Sequence, residues 1–254
     1  MRLFHKQYSD QGPPLVILHG LFGQQGNWAS QARELANTFS VFTLDARNHG
    51  QSDWADSMSY VEMAEDVRET LDALVIQQAA FIGHSMGGKT AMQFAFNWPE
   101  RVTKLLVVDI APVAYMGAPD RVLNALMCLD LSSLTSRAQA DELLQADIPE
   151  KGIRDFLLTN LRREGEGFQW RMNLKAIHDN YSLLRGGLSM QQPYQGKTLF
   201  VKGERSDYLM PAYRDRTLTC FPKAQIKVIP DAGHWVHSEK PEQFLALAHS
   251  FLKD

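Results

Sequence analysis

The chain has 254 residues, a net charge of −3, 44% hydrophobic and 22% charged side chains, which is enough for one sizeable α/β domain and ordinary for a soluble globular protein. With no Lys/Arg stripe, that balance gives no electrostatic case for nucleic acid or an anionic membrane surface. No apolar run approaches the ~20 residues that span a bilayer.

The first residues, Met1-Arg2-Leu3-Phe4-His5-Lys6, lack the apolar core of a signal peptide. Cys128 and Cys220 have neither metal-like spacing nor the number that a disulfide framework needs. The expectation is a reduced, cytoplasmic protein without a membrane anchor or a metal.

At most one short strand fits before Leu15. Residues 15–18, Leu-Val-Ile-Leu, read as a buried strand leading into His19-Gly20-Leu21-Phe22-Gly23. Gly20 and Gly23 let this loop turn its amides inward, so Leu21, or alternatively Phe22, is a candidate oxyanion donor. His19 is expected to bond loop backbone. Residues 41–44 form a second strand, and Asp45 and Arg47 in the loop after it are read as loop-fixing residues. Val61, Ala64, Val67, Leu71 and Leu74 recur at helical spacing over 60–74, with Ser59 as N-cap and Glu62 completing a capping box.

Residues 80–82 form a third strand, followed by Gly83-His84-Ser85-Met86-Gly87 and a helical stretch over 89–96. A G-x-S-x-G between strand and helix is the context of a nucleophile elbow, with a strained serine lifted above the sheet. The amide of Met86 would be the second oxyanion donor. The strand at 105–108 ends in Asp109. Strands at 198–201 and 226–229 follow much later; Asp207 lies beyond the first and His234 beyond the second. His237 is expected to start the last helical region.

Alternating strands and helices predict an α/β fold with a doubly wound, mostly parallel sheet, whose ligands bind beyond the C-terminal strand ends. Between the strands at 105–108 and 198–201 the pattern turns helical, over 121–129, 136–145, 151–161 and 174–185, with a short strand or turn near 168–172. That is far longer than one crossover needs, so a helical lid is expected over 112–187. The core would then comprise 1–111 and 188–254. Leu123, Leu126, Met127, Leu157, Leu158 and Leu161 are read as lid packing.

A serine hydroxyl needs a base, and His234 stands after the final strand in the expected order Ser, acid, His. Two aspartates compete for the acid. Asp207 follows the penultimate strand, the commoner place, but Ser206-Asp207 also suits a turn. Asp109 caps an apolar run, and a carboxylate buried there needs a partner such as His234.

Together, His19-Gly20-Leu21-Phe22-Gly23, Asp45-x-Arg47-Asn48-His49-Gly50-x-Ser52, Gly83 through Lys89, Asp109-Ile110-Ala111-Pro112-Val113, Trp170-Arg171 and Ala232-Gly233-His234-Trp235-Val236-His237 resemble the α/β-hydrolase superfamily. More narrowly, they resemble the small YbfF-type esterases and other abhydrolase-domain proteins, over nearly the whole chain. The resemblance implies an α/β-hydrolase fold and a carboxylesterase acting on short- to medium-chain acyl esters of small molecules, with no cofactor. It points to Asp109, in its D-I-A-P element, as the acid, with Asp207 as the alternative. A carbon–carbon bond hydrolase or a cofactor-free perhydrolase shares the same triad, and a ligand-sensing protein could keep the pocket. Oligomeric state is not implied.

Overall fold

Side chains alternate across β2 (Pro14–Leu18): Leu15 and Ile17 enter one hydrophobic cluster, Val16 and Leu18 another. A strand that buries both faces must lie inside a sheet covered by helices on both sides. The computed structural model describes residues 1–115, 121–165 and 167–253 and shows that arrangement.

Among these described residues the main sheet has seven strands. They are β1 (His5–Gln7), β2, β3 (Ser40–Leu44), β4 (Ala79–His84), β5 (Val102–Val108), β8 (Thr198–Gly203) and β9 (Ala224–Ile229), in the spatial order β1-β3-β2-β4-β5-β8-β9. Only β1 is antiparallel to its neighbour. It is the one short strand expected before Leu15.

On one face lie α2 (Tyr60–Ala73), α3 (Met86–Asn97) and α9 (Arg214–Cys220); on the other lie α1 (Ala29–Leu35), α10 (Val236–Glu239) and α11 (Pro241–Lys253). The start of α2 follows from its sequence. Ser59 accepts from the Glu62 amide while the Glu62 carboxylate accepts from Ser59 N at 2.9 Å, the expected capping box. Such a cap is worth about 1 kcal/mol.

Between β5 and β8 come α4 (Arg121–Cys128), α5 (Arg137–Leu144), α6 (Lys151–Leu158), the antiparallel hairpin β6 (Leu161–Glu164) and β7 (Gly167–Trp170), then α7 (Leu174–Asp179) and α8 (Tyr181–Arg185). The expected cap over 112–187 includes positions 116–120 and 166, which lie outside the described residues. Two helices differ from the sequence reading. The pattern over 151–161 ends at Leu158, because Leu161 belongs to a strand. The pattern over 174–185 is broken at Asn180, whose side chain bonds Asp56 O at 2.7 Å and Ala176 O at 2.9 Å. Leu123, Leu126, Leu157, Leu158 and Leu161 pack with Phe22, Met63 and Met86, whereas Met127 is exposed. No helix among the described residues is long and apolar enough to cross a membrane.

Candidate active site

The elbow is built from close backbone contacts. A Cβ on Gly83 would lie 2.4 Å from Gly87 O, and one on Gly87 would lie 2.4 Å from Leu18 O. Only glycine lets α3 approach β4 and β2 so closely. Ser85 takes φ 51°, ψ −116°, a conformation that costs on the order of 1–3 kcal/mol and persists only where its surroundings enforce it. Here Ser85 N donates to Val108 O at 3.1 Å, and Ser85 O accepts from Lys89 N at 3.0 Å.

The parallel register decides what stands beside the serine. His84 pairs with Val108 and Val108 with Val201, so Asp109 emerges between the end of β4 and the end of β8. Asp109 also has positive φ, 53°, and is fully buried. Its Oδ1 accepts from Gly203 N at 3.0 Å. Its Oδ2 accepts from His234 Nδ1 at 2.8 Å and from the Ser206 hydroxyl. Three donors thus converge on one carboxylate. Because Nδ1–H of His234 donates to Asp109, Nε2 is left as the nitrogen without a proton.

The other acid candidate is placed differently. Asp207 is exposed on the wall of the same cavity, and it is the neighbouring Ser206 that bonds Asp109. Nothing in the sequence singled out Ser206, which read as part of a turn.

The cavity has a volume of about 630 Å³ and is lined by Ser85, His84, Met86, Leu21, Phe22 and His234 at the strand ends. Its opposite wall comes from the inserted segment, including Tyr115, Phe156, Leu157 and Leu184. The two candidate oxyanion donors in the loop after β2 are not equivalent. Phe22 N already donates to His49 Nε2 at 3.2 Å, which leaves Leu21 as the candidate donor beside Met86 N, the first residue of α3.

Buried histidines hold these loops. His19 donates through Nδ1 to Gly20 O at 2.8 Å and accepts Ala46 N at Nε2, 3.0 Å. Nδ1 of His49 bonds Arg47 O at 3.0 Å. Asp45 accepts the amides of Gln25 and Gln51, while Arg47 pairs with Asp66 at 2.6 and 2.9 Å. Ring stacking sets His237 on Trp28 at 3.9 Å, and His237 lies within α10. Nε2 of His84 donates to His234 O at 2.9 Å and so ties the loop that carries His234 to the elbow.

Burial depresses these imidazoles. His19 is pushed down to about 4 by burial, His49 to about 3 by burial and the adjacent His19, and His237 to about 3 by burial and His234. His84 lies well below its usual range for the same reason. Their folded-state values are below the unfolded value, so their stabilising effect is complete above pH ~6.5 and is lost as pH falls toward 4. In that window the unfolded chain binds protons that the buried imidazoles do not, so stability falls as pH falls. The thermal unfolding midpoint is expected to fall steeply between pH 6.5 and 5, and less steeply in His237→Gln. A flat profile would contradict neutral, buried histidines.

Lys89 went unassigned in the sequence. It is 1% exposed, and its Nζ donates to Val113 O at 2.8 Å and Gly186 O at 2.6 Å, joining α3 to both ends of the inserted segment. Burial pushes it down to about 7. A neutral amine still carries two N–H donors, so both bonds survive loss of the proton. Among the described residues no cluster of three or more His, Cys, Asp or Glu side chains could hold a metal ion.

Comparison with known proteins agrees with this architecture. The model of the alpha/beta hydrolase family matches residues 15–247. The sn-1-specific diacylglycerol lipase ABHD11 of Mus musculus is 39% identical, over 94% of this chain and 81% of that protein. Esterase YbfF of Escherichia coli (strain K12) is 38% identical, over 98% of this chain and 96% of that one. A solved structure described as a marine microorganism esterase superposes with a TM-score of 0.96 at 38% identity, covering 98% of this chain and 99% of that one. Sequence, fold and site geometry thus lead to one conclusion: the chain belongs to the alpha/beta hydrolase family.

Proposed function

We propose that this protein is a serine carboxylesterase that cleaves short- to medium-chain acyl esters through Ser85, His234 and Asp109. The observation that carries the reading is the 2.8 Å bond from His234 Nδ1 to the buried carboxylate of Asp109, in a histidine that lines one cavity with Ser85. His234 Nε2 removes the Ser85 proton as Oγ attacks the ester carbonyl, and the amides of Met86 and Leu21 hold the oxyanion. The imidazolium then protonates the departing alcohol. Water activated by His234 cleaves the acyl-enzyme. The esterase and lipase names of the relatives support ester hydrolysis as the chemistry.

In this reading residues 112–187 form the lid, since described members of the segment such as Tyr115, Phe156, Leu157 and Leu184 line the cavity with Ser85. Aromatic and aliphatic side chains dominate the lining, and a volume near 630 Å³ suits a small ligand with a modest acyl chain. Two unpaired thiols, one of them the exposed Cys128, favour a reducing cytoplasmic location. Hydrolysis of p-nitrophenyl esters from acetate to palmitate tests the assignment. Turnover is expected to peak at short to medium chains and fall at palmitate without activation at a lipid–water interface. A wild-type enzyme that cleaves no member of the series would move the function to carbon–carbon bond hydrolysis or ligand sensing.

A further inference from the structure

The turn over 20–23 carries the candidate donor Leu21, and its peptide planes are held in series. In a trans peptide the N–H and C=O point in opposite directions, so fixing one aims the other. The plane that contains the Leu21 N–H also contains Gly20 O. That oxygen accepts from Gly23 N at 2.9 Å and from His19 Nδ1 at 2.8 Å. The plane that contains the Gly23 N–H in turn contains Phe22 O, which accepts from Asn160 Nδ2 at 2.6 Å. Phe22 sits at φ 59°, left-handed backbone that a bulky residue adopts only when it is held there.

Asn160 is itself immobilised. It is fully buried between α6 and β6, its N–H donates to Leu157 O at 3.0 Å, and its carbonyl accepts from Arg171 N at 2.8 Å. Ile153, Phe156 and Leu157 of α6 line the cavity, so the helix that meets an acyl chain ends beside the residue that holds the turn.

We infer that Asn160 is a positioning residue for the oxyanion hole. Its side-chain amide starts a hydrogen-bond relay, through Phe22 O and Gly23 N–H to Gly20 O, that aims the Leu21 N–H at the reacting carbonyl. The inference rests on the esterase reading above. It makes the inserted segment a participant in transition-state stabilisation as well as a wall of the pocket. Hydrogen bonds in such a chain polarise one another, so the relay strengthens as negative charge develops beyond Leu21.

The test uses Asn160→Ser and Asn160→Leu with a p-nitrophenyl ester and an aryl trifluoromethyl ketone. Ser85 Oγ adds to that ketone's carbonyl carbon, its proton passes to His234, and the carbonyl oxygen becomes the oxyanion. The expected result is a ~10- to 100-fold loss of kcat and an equal loss of ketone affinity, with KM and product-carboxylate affinity within about threefold, somewhat below the loss on deleting a donor outright. A purely structural role would lower the unfolding temperature without separating kcat from KM. Wild-type enzyme supplies a measurement independent of the variants: the ¹⁵N-labelled Gly23 amide and the Asn160 side-chain amide should both shift when the ketone binds. Folded variants with unchanged kcat and ketone affinity, or unmoved wild-type signals in a formed adduct, overturn the relay alone. Failure of wild type to form the adduct removes the esterase reading and the relay with it.

Discussion

Ser85→Ala is expected to lower kcat by ~10⁴- to 10⁶-fold while leaving the protein folded. In the proposed mechanism the hydroxyl is the attacking atom, so the variant keeps only what the oxyanion amides and substrate binding can do for direct attack by water. Folding should survive because the elbow is enforced by backbone. The Val108 and Lys89 bonds to residue 85 and the glycine contacts around it do not involve Oγ. Alanine meets the same positive-φ strain that serine already bears. Turnover of p-nitrophenyl butyrate beside a thermal melt separates the two effects. Near-normal turnover in a folded variant would end this account of the chemistry.

Asp109→Asn is expected to cost ~10³- to 10⁴-fold in kcat, the loss seen when a triad acid becomes an amide. The structure gives the reason. Gly203 N, Ser206 Oγ and His234 Nδ1 all donate to this side chain, and an amide offers only one oxygen to three donors. The amide NH₂ must either face another donor or force His234 into the tautomer with its proton on Nε2, which cannot act as base. Asp207→Asn, at an exposed position on the cavity wall, should stay within about threefold, as surface changes usually do. Parallel kcat measurements on the two variants decide between the aspartates, and the reverse ordering would transfer the role to Asp207.

The fold was legible because its signals are local. Short apolar runs, the Ser59–Glu62 box and the glycine-flanked serine each specify their own neighbourhood, and their alternation leaves little choice of topology. The choice of acid was not legible. Asp109 and Asp207 both follow strands, and what separates them is lateral register: β5 lies between β4 and β8, so Asp109 stands beside Gly203 and Ser206. No periodicity in one dimension carries that adjacency.

The helical pattern over 151–161 outruns the helix, which ends at Leu158, for a related reason. Leu157, Leu158 and Leu161 keep helical spacing and all three are buried, yet Asn160 leaves the helix to bond Phe22 in a distant loop. Met127 fits the same stripe and faces solvent. Lys89 looked like an ordinary helix position, because its partners, Val113 O and Gly186 O, are backbone atoms far along the chain.

The glycine contacts at the elbow have a consequence for how this protein can change over generations. Gly83 and Gly87 face backbone atoms at distances no side chain tolerates, and a Cβ on Gly20 would lie 2.7 Å from His84 Nδ1. Replacement at any of them displaces the serine and its surroundings together. The facing wall, drawn from helices inserted between two strands, is made of side chains that can be exchanged without touching that framework. Drift and selection can therefore alter which acyl groups are accepted while the reaction itself stays fixed. Directed evolution for new substrates should find its accepted mutations among residues such as Ile153, Phe156 and Leu184, and almost none among the elbow glycines.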